Sequence, residues 1–447
     1  MATNRITYGQ SAIAVSQPPG NSDNTSNLTG LKRVQSASID FAFARERFKQ
    51  IGSPDYVGQV QVKNADIGFD VDYFYSNGTN EAIMGLNVNG EDSTALKYIK
   101  KENQDRNYYI LMGTGDNDAP NTTEIFKNQF NIMALGNVFL NSYSLSASVG
   151  SVVSVSTSLS AYNVVMNEYN DSTNGETIPA IDTTKVGPGE PVLDKNYKIT
   201  SSVFQNTTNR DGNIHAAFTA GNIELILANV NEPGIEFTGS SPVRSATIES
   251  VDVGFNIDRT DLYGLGSMYP YGRRAILPIL GTLSFSALAT EFTSGNLNEF
   301  LSGHNDYNFT FNLKDNCSGI TGLQMTVENA QLDSQGLSDT MGDNASITAS
   351  FGFSMSDISG LKMSTPPLIV NQPVSAASDG NTLYVQATGK TSGGAAYNVD
   401  GFKYEWYKGG VAFGSNQRSA VTSGADDYYV VVSNELGSAT SNTSSVT

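Results

Sequence analysis

Two histidines and one cysteine are all the imidazole and thiol chemistry in this chain. Nucleophilic and metal catalysis draw on His, Cys or clustered carboxylates, and His215 and His304 are separated by most of a domain. Both sit among turn formers, in Gly212-Asn213-Ile214-His215 and Gly303-His304-Asn305-Asp306, where a surface loop is the simplest expectation. Cys317 stands alone, which excludes an internal disulfide and any Cys/His zinc spacing. No Gly-x-Ser-x-Gly elbow, His-Glu-x-x-His helix or Gly-x-x-x-x-Gly-Lys-Ser/Thr loop occurs. Gly264-Leu265-Gly266 opens like a dinucleotide fingerprint but has Tyr269 at the third Gly position, and reads as a turn. Asp116-Asn117-Asp118 carries oxygens of the kind Ca²⁺ takes, yet the missing downstream Glu and the flanking Gly115 and Pro120 favour a plain polar loop. Lys97, Lys100, Lys101 and Arg106 interleave with Tyr98 and Tyr109 as in single-strand binders. Glu102 and Asp105 interrupt them, so the run reads as the mixed-charge face of a short helix. The expectation is a protein with no catalytic residues, no metal and no cofactor, and not an enzyme.

One constellation keeps two readings open. Asp66, Asp70 and Asp72 share a strand face by even spacing, with Ile67, Phe69 and Val71 on the other. They are either a solvated face or an acidic wall. The whole chain is acidic, with 26 Lys+Arg against 44 Asp+Glu and a formal charge of −18, so it lacks the attraction to phosphate that nucleic-acid binders need. The N-terminus shows no charged-then-apolar signal pattern, and no apolar run reaches membrane-spanning length; cytoplasmic synthesis without an anchor is expected.

The elements that must position these residues are β-strands. At 447 residues the chain suggests two to four domains, taking about 100–200 residues each. Its abundance of Gly, Asn, Ser and Thr implies many turns. An internal repeat sets the organisation. Residues 34–53 lie over 248–267 without a gap at a shift of 214, with Ser36/Ser250, Phe41/Phe255, Arg45/Arg259, Gly52/Gly266 and Ser53/Ser267 identical. A second ungapped match, 140–159 over 332–351 at a shift of 192, pairs Leu140/Leu332, Ser142/Ser334, Leu145/Leu337, Gly150/Gly342 and Ser158/Ser350. Between them Asn80-Glu81 falls on Asn298-Glu299, and 107–116 on 307–316 at a shift of 200. A period this long is a duplicated domain rather than a solenoid.

Alternation over 67–75 and 152–159 predicts half-buried strands. Helix is expected at Asn80–Leu86, at Asn296–Ser302, and at Thr94–Asn103 inside a first-copy insertion near 87–106. The fold class is therefore all-β with one short helix per repeat: tandem β-sandwich or barrel domains at 1–165 and 199–364, a linker at 166–198 and a further β domain at 365–447. That last segment resembles an immunoglobulin-like domain, with Trp406 as its core Trp, Tyr428 as the tyrosine corner, and Val385 and Val430 where a disulfide usually stands.

Paired blocks Arg33–Ser53 and Ile248–Ser267, in duplicated β domains with a terminal immunoglobulin-like domain, resemble the tail tube (major tail) proteins of long-tailed bacteriophages. The resemblance implies a structural virion protein, made in the host cytoplasm, whose chains form homotrimeric, pseudo-hexameric rings stacked into a tube. Its partners would be copies of itself, other tail proteins, double-stranded DNA passing through the lumen without specific binding, and a host cell surface reached through the C-terminal domain. Asp66, Asp70 and Asp72 would be the lumen-facing candidates, the insertion near 87–106 would key one ring to the next, and the C-terminal domain would project outward, dispensable for assembly. The alternative is a β-rich surface adhesin or carbohydrate-binding protein.

Overall fold

The computed structural model describes residues 11–16, 29–62, 66–90, 93–100, 104–113, 130–169, 219–227, 245–265, 270–288, 306–315, 321–338, 346–375, 382–391, 397–398, 401–441 and 443–446. The first repeat holds β1 (Ser11–Val15), β2 (Thr29–Gly30), β3 (Val34–Ala42), β4 (Arg45–Lys49), β5 (Tyr56–Gln61), β6 (Asp66–Phe74), the helix α1 (Thr79–Met84), β7 (Arg106–Gly113), β8 (Phe130–Ser148), β9 (Ser154–Ala161) and β10 (Asn163–Tyr169). The second holds β11 (Ala220–Leu227), β12 (Ser245–Asn256), β13 (Arg259–Tyr263), β14 (Pro270–Ala275), β15 (Ile279–Leu288), β16 (Tyr307–Asp315), β17 (Thr321–Ser338), β18 (Ser346–Met355) and β19 (Leu361–Ser364). The chain is all-β, and α1, flanked by left-handed Gly78 and Gly85, is the one helix among the described residues. His215, His304, Cys317, Asp116–Asp118, the helix expected at Asn296–Ser302 and most of the linker lie outside the described residues; β10 runs to Tyr169, into the segment read as linker.

Strands β1 to β3, β6 to β12 and β15 to β19 make one 15-stranded sheet folded into two layers. β8 and β17 belong to both layers. The N-terminal part of β8 pairs with β7 and β10, its C-terminal part with β9; β17 does the same with β16 and β19, then β18. Each turns from one layer to the other near an Asn in the left-handed region, Asn137 and Asn329, a conformation that Asn tolerates better than most residues. The repeat is visible in the ladders. Bulges fall at Val34/Ser36 and Ile248/Ser250, and at Leu140/Ser142 and Leu332/Ser334, at the shifts of 214 and 192. The β7/β16 match is one residue off the sequence expectation: a shared bulge aligns Tyr108 with Phe309, a shift of 201 rather than 200.

Both repeats share one hydrophobic core. Tyr143 stacks on Phe255 at 5.7 Å between ring centroids, and the Tyr75 hydroxyl donates to the Gly322 carbonyl at 3.3 Å. The insertion near 87–106 is neither a helix over its described part nor a free loop. Residues 95–100 form turns, Ala95 and Leu96 are buried, and the strip is pinned to the β18–β19 turn of the second repeat. Thr94 N–H donates to Asp357 O and Ala95 N–H to Leu361 O, both at 2.9 Å, and Lys100 pairs with Asp357 at 2.5 Å. The described part of the insertion is therefore packed within the chain, with Tyr98 left exposed on it.

The C-terminal part contains β20 (Leu368–Ser375), β21 (Thr382–Thr388), β22 (Lys403–Lys408), β23 (Val411–Phe413), β24 (Ser419–Val421), β25 (Asp426–Ser433), β26 (Ser438–Thr440) and β27 (Ser444–Val446). They form sheets β20-β21-β24 and β23-β22-β25-β26, with β27 also on β25, an immunoglobulin-like sandwich. Trp406, Val385, Tyr428 and Val430 are buried in its core, and the Tyr428 hydroxyl donates back to Gly424 O at 2.7 Å, a tyrosine corner. This domain is clamped to the rest by Asn89, whose side-chain oxygen accepts from Thr388 Oγ1 and Gly389 N, each at 2.8 Å. Gly90 at φ 61 passes so close to Ser364 that any Cβ would overlap its hydroxyl.

Candidate assembly interface

The layer formed by β3, β6, β9 and the C-terminal part of β8 continues, without a break, into β12, β15, β18 and the C-terminal part of β17. The joint between repeats is β8 against β12, antiparallel from Ser142↔Asn256 to Ser148↔Ser250. At the shifts of the repeat, β12 is the counterpart of β3 and β17 the counterpart of β8. The layer therefore begins at β3 and ends at β17, and neither strand has a partner on its outer side among the described residues. Equivalent side chains show the difference. Phe255 is 3% exposed inside the joint and its counterpart Phe41 44%; Leu145 is 1% exposed and its counterpart Leu337 64%. Unpaired strand edges carrying apolar side chains are templates for pairing.

The second layer covers one face of this eight-stranded sheet; the other is open. Open-face positions on β8 and β9 are serines: Ser142, Ser144, Ser146 and Ser148 beside Ser154, Ser156, Ser158 and Ser160. Asp66, Asp70 and Asp72 lie on this open face, while Ile67, Phe69 and Val71 are buried beneath. The Ser36 hydroxyl donates to Asp72 at 2.5 Å. Asp40 and Asp252 join them on β3 and β12, and among the described residues these eight strands place no Lys or Arg on the face, although Arg273 of the β13–β14 hairpin reaches Ser160 on it. In the second repeat the places of the three Asp are taken by Leu280, Ser284 and Ser286. The described residues of the Lys97–Arg106 run, by contrast, form no basic stripe: Lys100 is paired, Lys97 lies over Tyr98 and Arg106 is buried, while Lys101 lies outside the described residues.

Two hairpins leave the sheet between equivalent strands, β4–β5 and β13–β14, and their tips carry fully exposed Ile51 and Leu265 at matching positions. The second hairpin seats on the first repeat. Arg259 lies over the Phe139 ring at 4.9 Å and donates to Ile99 O at 2.9 Å; Arg273 lies over Tyr162 at 4.2 Å and donates to Asp261 at 2.6 Å and to Ser160. Burial, with the Arg273 charge nearby, brings the Arg259 guanidinium down to about 10.

No family model matches this chain, and no curated protein matches it.

Glu81 stands out only in the folded structure. On α1 it is fully buried, and its Oε1 accepts from the hydroxyls of Tyr73 at 2.8 Å and Tyr143 at 3.4 Å. Burial raises its carboxyl from 4.5 to about 7, against the opposing pull of those hydrogen bonds. Only the hydrophobic setting of the short Thr79–Met84 segment hinted at this. Among the described residues no group of three or more His, Cys, Asp or Glu gathers to hold a metal ion, and no helix is long and apolar enough to cross a membrane.

Proposed function

We propose that this chain is a structural protein that closes head-to-tail into three-chain rings and stacks them into a tube, a conduit for DNA in the manner of a bacteriophage tail. The carrying observation is the paired difference in exposure: positions buried at the internal β8–β12 joint are exposed at β3 and β17. A joint already made once within the chain is thereby offered again between chains. Such a contact is heterologous, and rotation can close it into a ring.

Ring size follows from width. With strands about 4.8 Å apart and tilted about 40°, two chains of eight strands close at roughly 32 Å across the backbone, and three chains at roughly 48 Å. Only the wider ring leaves room for a hydrated duplex once the side chains of both walls are subtracted. The covered face turns outward and the open face lines the channel. That lining is hydroxylic and acidic, with Asp66, Asp70 and Asp72 on it in the first repeat. A wall of the same sign as the phosphates holds no sticky sites, so DNA slides through without specific binding. The hairpin tips make the axial contacts between rings, other tail proteins terminate the stack, and the immunoglobulin-like domain projects outward, free to touch a host cell surface. The site of action is the virion tail, after synthesis in the host cytoplasm.

Negative-stain microscopy with mass measurement of the purified chain tests this. Rings or tubes with three chains per ring are expected; a stable ring of six full-length chains overturns the stoichiometry, and monodisperse monomers at all concentrations overturn the reading.

A further inference from the structure

The internal joint has a second component beside the strand ladder, the seat of the β13–β14 hairpin. Two guanidiniums, Arg259 and Arg273, rest there on two aromatic rings, Phe139 and Tyr162. At the shifts of the repeat every part of this seat has a counterpart at the open ends of the chain, and the chemistry is different. Phe139 becomes Gln331, whose amide donates to Asp306 at 2.8 Å. Ser160 becomes Gly352, and Asn141 becomes Asp333, whose carboxylate closes over that glycine so that a Cβ there would lie 2.7 Å from it. The ring positions hold Gln331 and Ser354, and two exposed carboxylates, Asp306 and Asp333, stand beside them.

The hairpin changes in the complementary sense. Arg259 remains a cation as Arg45, while Asp261 becomes Arg47 and Tyr263 becomes Lys49. Arg45, Arg47 and Lys49 alternate along β4, opposite Gln61, Gln59 and Tyr56, and so share one face of the hairpin. Arg47 and Lys49 lie over the Tyr56 ring at 5.4 and 5.2 Å, exposed to solvent. In a chain of net charge −18, three cations on one projecting face mark a surface for an acidic partner.

We propose that the partner is a second copy of this chain, and that the joint between chains closes ionically: Arg45 and Arg47 of one copy on Asp306 and Asp333 of the next. The inference rests on the ring reading and deepens it. One frame is used twice, with cation–aromatic contacts inside the chain and carboxylate–guanidinium contacts between chains. The internal joint is then permanent and largely indifferent to salt, while the joint between chains is salt-sensitive, because the screening length falls from about 10 Å at 0.1 M to about 3 Å at 1 M. The charges also set partner choice, since like charges brought together oppose a wrong pairing.

The test is charge reversal in the full chain, read by sedimentation and microscopy. Two variants, Arg45→Glu with Arg47→Glu, and Asp306→Lys with Asp333→Lys, are expected to unfold as the parent does but to assemble at least about tenfold more weakly. The chain carrying all four changes is expected to recover, and the parent to weaken as salt is raised. Rings from both two-site variants at the parent's strength overturn the ionic seat and leave the ring reading standing. Losses that the four-site chain does not recover also overturn it. A parent that forms no rings overturns both.

Discussion

Glu81 concentrates the chemistry of single residues in this fold. A carboxyl that keeps its proton up to about 7 when folded, against 4.5 ordinarily, makes the folded state bind more protons than the unfolded one between those values. Stability therefore falls as pH rises from about 4.5 to about 7 and levels off above. At about 1.4 kcal/mol per unit, the cost above that window is on the order of 3 kcal/mol. Glu81→Gln keeps an acceptor for Tyr73 and Tyr143 and removes the titration. Thermal unfolding of the variant is expected to lose most of the decline over that window and to exceed the parent at pH 8; a parallel slope in parent and variant would assign the decline elsewhere. Asp66, Asp70 and Asp72 differ from Glu81 in setting, since their strand face meets water.

Among the elements, the hairpins and the terminal sandwich carry separable roles. Ile51 and Leu265 are fully exposed at equivalent tips, a position that costs little to keep polar in a protein that stays single. Replacing both with Asp is expected to leave rings intact and abolish stacking, visible as rings without tubes; unaltered tubes would remove the tips from the axial contact. The immunoglobulin-like domain is tied down through Asn89, and Asn434 reaches Thr365 O at 3.1 Å and Lys390 O at 2.9 Å. Among the described residues none of its strands pairs with β3 or with β17. A chain ending at Ser364 is expected to polymerise, with some stability lost at the Asn89 clamp; failure to form rings while remaining folded would place the domain within the ring contact.

For the whole molecule, the open face is the feature that joins charge to function. Changing Asp66, Asp70 and Asp72 together to Lys is expected to leave folding nearly intact, at about 0.5 kcal/mol or less for each exposed site. Tubes of this variant should retain DNA, with retention that weakens as salt rises. DNA passage equal to the parent's would take these residues off the path. The repeat makes such a band threefold rather than sixfold, because the second copy presents Leu280, Ser284 and Ser286 at the same ladder positions.

Local pattern carried much of this protein. Alternation over 67–75 and 152–159 declared both the strands and their buried faces, because a strand's side chains alternate whatever it pairs with. The ungapped shifts of 214 and 192 survived as matching bulges, since an insertion inside a paired strand would throw its side chains to the wrong face. The β7/β16 match slipped by one residue where the sequence identity was thin and only the ladder set the register. Partners were not legible. That β8 would cross both layers, that the strip at 94–100 would pack on the β18–β19 turn instead of standing free, and that Glu81 would be buried under two tyrosines all depend on contacts between residues distant in sequence. The same is true of the joint: β3 and β12 read almost alike, and only the tertiary structure decided that one is paired on both sides and the other is left open.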